Sequence, residues 1–127
     1  MSEATRPAPV VLDDLADPRF PEDVVPILDA MAAAAEGLEL TPGALMDAAA
    51  EATGLDDFGD RTFVGRLDVL CTALREEAGL SAAGVVSLHS QLVSLLRNRL
   101  LHQDLLTTHP EILDERIERP VVIAGLP

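Results

Sequence analysis

His89, His102 and His109 are the only histidines of the chain, and histidine is the side chain that ordinarily titrates near neutral pH. His89 and His102 are thirteen residues apart on what reads as one helix, about 20 Å along its axis. They cannot ligate one metal ion together. His109 precedes Pro110 at the end of the same helix, where an imidazolium would complement the helix dipole. Structural roles are expected for all three. Asp56, Asp57 and Asp60 surround Gly59 and faintly resemble a calcium loop, but the ligand spacing and closing bidentate Glu of such a loop are absent. No Ser/His/Asp arrangement is suggested; Ser81 reads as a helix cap, and Ser87, Ser90 and Ser94 as helix surface. Cys71 is the single cysteine, so it has no internal disulfide partner, and its place in an apolar helical pattern predicts a buried, inert thiol. All nine basic residues are Arg, which removes lysine-base and Schiff-base mechanisms. Arg97 and Arg99 flank Asn98 within an apolar helix, and a guanidinium there must find a carboxylate, a carbonyl or a ligand phosphate. Asp104, Asp114 and Glu115 are the expected partners. No residue is assigned a catalytic or metal-binding role from these patterns.

The elements that would position these residues are helical. Residues 1–21 carry Pro7, Pro9, Pro18 and Pro21 with Asp13, Asp14 and Asp17 among them, and read as an irregular acidic arm with a turn of helix near Val11 to Ala16. An Ala-rich helix follows from Glu22 to Glu36, with Pro26 tolerated in its first turn and Gly37 ending it. Thr41 caps a second helix, with Pro42 at its first position and Gly54 as its stop. Leu55 to Asp60 is a loop with apolar anchors at Leu55 and Phe58, and Asp60 is placed to cap the next helix. That helix repeats Phe63, Leu67, Leu70, Cys71 and Leu74 at helical spacing, and Gly79 ends it. Ser81 caps the longest helix, which reaches about Thr108 and stops before Pro110. Its leucines cover more than one face, which predicts a central helix packed on two sides. Pro110 to Glu115 reads as a short helical turn. The organisation is therefore an arm (1–21), a helical segment (22–115) and a terminal strand region (116–127).

Composition narrows the function classes. Apolar residues make up 48% of the 127, enough for a folded core. There are three Phe and no Trp or Tyr, and the net charge is -13, so a nucleic-acid surface built on basic residues and aromatic stacking is excluded. The charge is uneven. Residues 1–60 hold 14 acidic and 2 basic residues, whereas residues 61–127 hold 8 and 7. The front half is a solubilising acidic face or a docking site for a basic partner. No apolar run approaches the length of a membrane span, and the start has no basic-then-apolar leader pattern, so the default expectation is a cytoplasmic protein without a membrane partner.

The last residues read Arg119-Pro120-Val121-Val122-Ile123-Ala124-Gly125-Leu126-Pro127. A continuous apolar run before Gly and Pro predicts a strand buried on both faces, as in a parallel sheet. Such a strand needs a hydrogen-bonding partner. The expectation is that the sequence is the front portion of a larger α/β protein, cut at its first core strand. Left alone, that strand would favour self-association into homo-oligomers.

Several segments together resemble the bacterial sulfotransferase family. They are Leu55-Asp56-Asp57-Phe58-Gly59-Asp60 with Phe63 and Leu67; Leu95-Leu96-Arg97-Asn98-Arg99-Leu100; His109-Pro110-Glu111-Ile112; and Ile117 to Pro127. The likeness covers about residues 50–127, and its specificity lies in the set rather than in one motif. It implies a mostly α, four-helix N-terminal segment ending in the first strand of a P-loop-like α/β core. In that family, Gly-Leu-Pro is typically followed by Arg-Ser/Thr-Gly-Thr-Thr, a loop that grips the donor 3′-phosphoadenosine 5′-phosphosulfate at a helix N-terminus. The sulfuryl group then passes to an acceptor hydroxyl or amine. Only Gly125, Leu126 and Pro127 map onto that loop, as its opening, and the loop's own Arg, Gly and Thr contacts are not among residues 1–127. The resemblance thus implies a segment with no catalytic residue and no cofactor bound by itself. The alternative is a non-enzymatic acidic helical interaction or self-association module.

Overall fold

The structure is a computed structural model that describes residues 18–116 and 118–122. The helical expectation holds. Four helices are described: α1 (Val25–Ala35), α2 (Pro42–Thr53), α3 (Phe63–Glu76) and α4 (Ala82–Thr108), followed by a 3-10 turn at Pro110–Asp114.

Helix starts and stops follow local chemistry. Thr41 is extended, and its Oγ1 accepts the Ala44 N–H at 3.3 Å, with Pro42 at the first helical position. Gly54 closes α2 in the left-handed region at φ 71°, a conformation that costs glycine little. Ser81 Oγ accepts the Gly84 N–H at 3.2 Å and starts α4. Three boundaries differ from the sequence reading: α1 begins at Val25 rather than Glu22, after a turn at residues 22–24, and both ends of α3 move. Asp60 does not cap α3 directly, because residues 61 and 62 form a turn and the helix begins at Phe63. The last helical residue of α3 is Glu76, ahead of Gly79.

α4 is the organising element. α1 and α2 both pack along it, and α3 joins through α2. The buried side chains Leu92, Leu96 and Leu100 recur every fourth residue and form one stripe of α4. They meet Leu45, Met46 and Ala49 of α2, with Leu40, Phe58 and Cys71 completing the core. α1 docks differently. Val24, Leu28, Met31 and Ala35 form a half-buried stripe at helical spacing, but no residue of α1 is fully buried. The remaining α1 surface is still apolar, with Val25 and Ile27 exposed.

α4 touches both α1 and α2, but past its first turn its buried and half-buried residues share one face, so the expected packing on two sides is not found. Leu95, Leu101 and Leu105 are exposed, as are Ile112 and Leu113 just beyond. On α3, Leu70 is exposed rather than part of the core stripe. The strand expected from about Arg119 has no counterpart among the described residues: 118–122 are irregular, and Val121 and Val122 are 87% and 84% exposed. No described segment runs beside them to pair with, and an unpaired segment has no ladder to belong to. The rest of that run, with Gly125, Leu126 and Pro127, lies outside the described residues, as does the arm up to residue 17.

Candidate functional site

The densest polar arrangement joins the Leu55–Asp60 loop to α4. Its construction begins at the end of α2. Thr53 Oγ1 donates to the Ala49 carbonyl at 2.9 Å and accepts the Leu55 N–H at 3.3 Å, which steers the chain out of the helix. Phe58 then turns inward and is buried. Asp57 Oδ1 accepts the Gly59 N–H at 2.8 Å, a local Asx turn that competes with helical pairing. Gly59 has φ 65°, a conformation that favours glycine, and a Cβ there would lie 2.7 Å from Gln103 Oε1, the far end of a flexible side chain of α4 that would have to move aside.

Arg99 locks this loop. Its Nε donates to the Phe58 carbonyl at 2.8 Å and its Nη2 to the Asp60 carbonyl at 2.6 Å. The guanidinium carbon sits 4.3 Å from the centre of the Phe63 ring, a cation–π contact. Phe63 in turn lies 6.3 Å from Phe58 between centroids, with the rings tilted by 39°. The expected carboxylate partner for Arg99 is therefore corrected: a planar fork suits two carbonyls presented by one turn, and the loop supplies them. Among the described residues, Asp104, Asp114 and Glu115 pair with neither Arg97 nor Arg99, and Arg97 is exposed.

Asp60 closes the arrangement. Its carboxylate accepts the Thr62 N–H at 2.9 Å and the Thr62 hydroxyl at 3.0 Å. These two bonds, with the nearby charges of Arg99 and Arg66, hold its carboxyl below the usual aspartate value. Beside the loop, Asp56, Asp57 and Asp104 line a small cavity of about 190 Å³ with Leu55, Leu100 and Thr107. Among the described residues no group of His, Cys, Asp or Glu is arranged to hold a metal ion.

The histidines are not brought together. His89 and His102 stay on α4, and His109 Nδ1 lies 3.1 Å from Glu111 Oε1 at the exposed start of the 3-10 turn. Cys71 is fully buried, and burial pushes its thiol up from the ordinary value, as an inert core thiol requires. Two features escaped the sequence reading. One is the hydrogen bond from Arg75 Nη1 to the Leu40 carbonyl. The other is the larger cavity, of about 510 Å³, whose wall includes Arg75. Only the position of Arg75 in the last turn of α3 hinted at a carbonyl partner.

Chemically, the Arg99 arrangement holds a loop rather than a reacting group. Its cation is engaged by neutral backbone oxygens and an aromatic face, and the one hydroxyl–carboxylate pair beside it, Thr62 with Asp60, closes the exposed turn between the loop and α3. Comparison with protein-family models, curated proteins and solved structures finds no match to this chain.

Proposed function

We propose that residues 1–127 form the N-terminal helical segment of a sulfotransferase-like protein and carry no sulfuryl-transfer chemistry of their own. In this reading the helices cover and brace an α/β core that binds 3′-phosphoadenosine 5′-phosphosulfate. The observation that carries it is the outward apolar face of the back half. Leu101 and Leu105 fall on the side of α4 opposite its core stripe, Leu95 is exposed at the stripe's flank, and Ile112, Leu113, Val121 and Val122 continue as exposed apolar residues along the chain. Such a series belongs against another body. It also leads toward Gly125-Leu126-Pro127, the opening of the phosphosulfate loop in the family that this sequence resembles.

The Arg99 clamp supports the same reading. Leu55–Asp60 and Leu95–Leu100, two separate segments of the resemblance, are joined by one side chain, as segments of a single shared fold would be. No helix among the described residues is long and apolar enough to cross a membrane, so the exposed leucines do not mark a span.

The same outward face favours a second reading, a self-association module in which it meets another copy. The back half is nearly charge-balanced, so its charge does not oppose that contact. Sedimentation of the chain across a concentration series, beside a Leu105→Asp/Leu113→Asp variant, tests both. Graded association that the variant abolishes is the outcome expected of a face shaped for a different body. A single defined oligomer supports the self-association module instead. A concentration-independent monomer overturns the docking role of the face.

A further inference from the structure

A second cavity, distant in sequence from the Arg99 clamp, has the composition of a ligand site. It is a groove of about 510 Å³, open to solvent, where the α1–α2 connection, the last turn of α3 and the first turn of α4 converge. That volume lies within the range of small-molecule pockets. Leu38, Leu74, Leu80 and Val85 supply apolar wall, while Arg75 and Glu39 supply charge.

Arg75 is the informative residue. Its Nη1 donates to the Leu40 carbonyl and its Nη2 to Thr72 Oγ1 at 3.3 Å. Both acceptors are neutral, and Arg75 pairs with no carboxylate among the described residues, Glu39 included. Two of its five N–H donors are thus spent on fixing the side chain, and the rest remain for a ligand. A guanidinium fixed by its own protein at an apolar wall recognises a planar monoanion, which it can take in a bidentate fashion. The other half of the site asks for an apolar body. No second cation lines the cavity, so a phosphate dianion would be poorly compensated.

We propose that this cavity binds a small apolar carboxylate, such as a medium-chain fatty acid, with the carboxylate on Arg75 and the chain along Leu38, Leu74, Leu80 and Val85. Glu39 opposes the carboxylate and sets a sign that a purely hydrophobic groove would not have. This inference stands apart from the sulfotransferase-like reading and uses none of its residues.

Calorimetric titration of the full chain with decanoate, with decanol as the neutral comparison, tests it. Decanoate should bind saturably below its own aggregation threshold. Arg75→Gln, which keeps a donor for the Leu40 carbonyl, should weaken decanoate about tenfold or more and leave decanol unchanged. Glu39→Gln should tighten decanoate by a few fold. Leu105→Asp, on the outer face of α4, should leave both ligands unaffected. Absence of saturable binding overturns the proposal, as does loss of binding in Leu105→Asp. Where Arg75→Gln fails to fold by circular dichroism, the Glu39→Gln series decides: equal or weaker decanoate binding in that variant sinks the assignment.

Discussion

Replacing Arg99 probes the clamp that holds the Leu55–Asp60 loop against α4. Arg99→Met keeps most of the aliphatic stem but removes two hydrogen bonds, to the carbonyls of Phe58 and Asp60, and the contact with the Phe63 ring. Hydrogen bonds from a charged donor contribute about 1.5–3 kcal/mol each. The Asp60 end is exposed, so its carbonyl regains water after the substitution, and the loss there falls at the low end. Phe58 is 4% exposed, and its part-buried bond loses more. The cation–π contact adds about 0.5–1 kcal/mol. The expected loss is about 3.5–5.5 kcal/mol, a large share of the total stability of a small domain. With a urea slope of about 2 kcal/mol per molar, the midpoint of unfolding should fall by roughly 2–3 M. Arg99→Lys retains the charge without the fork and should lose about half as much. A double-mutant cycle with Phe63→Leu isolates the ring contact and should return a coupling of about 0.5–1 kcal/mol. If Arg99→Met costs less than about 0.5 kcal/mol, or Arg99→Lys costs as much as Arg99→Met, the forked clamp is not what holds the loop.

Adjacent leucines on α4 should behave very differently. Leu100 is fully buried and Leu101 is 49% exposed, so Leu100→Ala should cost about 2–5 kcal/mol and Leu101→Ala under about 1 kcal/mol in chemical denaturation. Gly59→Ala must strain a positive φ and displace the Gln103 amide, whereas Gly54→Ala meets only the φ penalty. Thermal melts should therefore show the larger drop at Gly59, with Gly54→Ala costing about 1–2 kcal/mol. The lowered carboxyl of Asp60 gives a signed pH dependence. Its contribution is fully present above the unfolded aspartate value of 3.8 and is lost as pH falls through the lower folded value. Unfolding measured from pH 5 down to pH 2 should show a flatter acid limb in Asp60→Asn than in the parent chain.

Much of the scaffold was legible because its signals are local. Thr41-Pro42, Gly54, Ser81 and Pro110 act on their own backbones, and the helix limits that they imply agree with the structure at those points. Asp60 reads as a cap two residues early, because its carboxylate closes a turn at residues 61 and 62 before the helix begins at Phe63. The exposure of Leu70, Leu95 and Leu105 was not legible, since periodicity marks an apolar position without saying whether anything covers it. The sequence shows that Arg99 needs a carboxylate, carbonyl or phosphate partner, but it favours the carboxylates of Asp104, Asp114 and Glu115 over the carbonyls that Arg99 takes. The carbonyls of Phe58 and Asp60 lie 41 and 39 residues away, and no side-chain pattern advertises a backbone acceptor. The cavity beside Arg75 is less legible still, because it exists only where the α1–α2 connection meets the end of α3 and the start of α4.

The central claim is that these helices support phosphosulfate chemistry without performing it. Its most direct test is isothermal titration of the purified chain with 3′-phosphoadenosine 5′-phosphosulfate, followed by incubation with hydroxyl and amine acceptors. The account expects no saturable heat and no sulfated product. Saturable donor binding, or sulfuryl transfer by this chain alone, would contradict it.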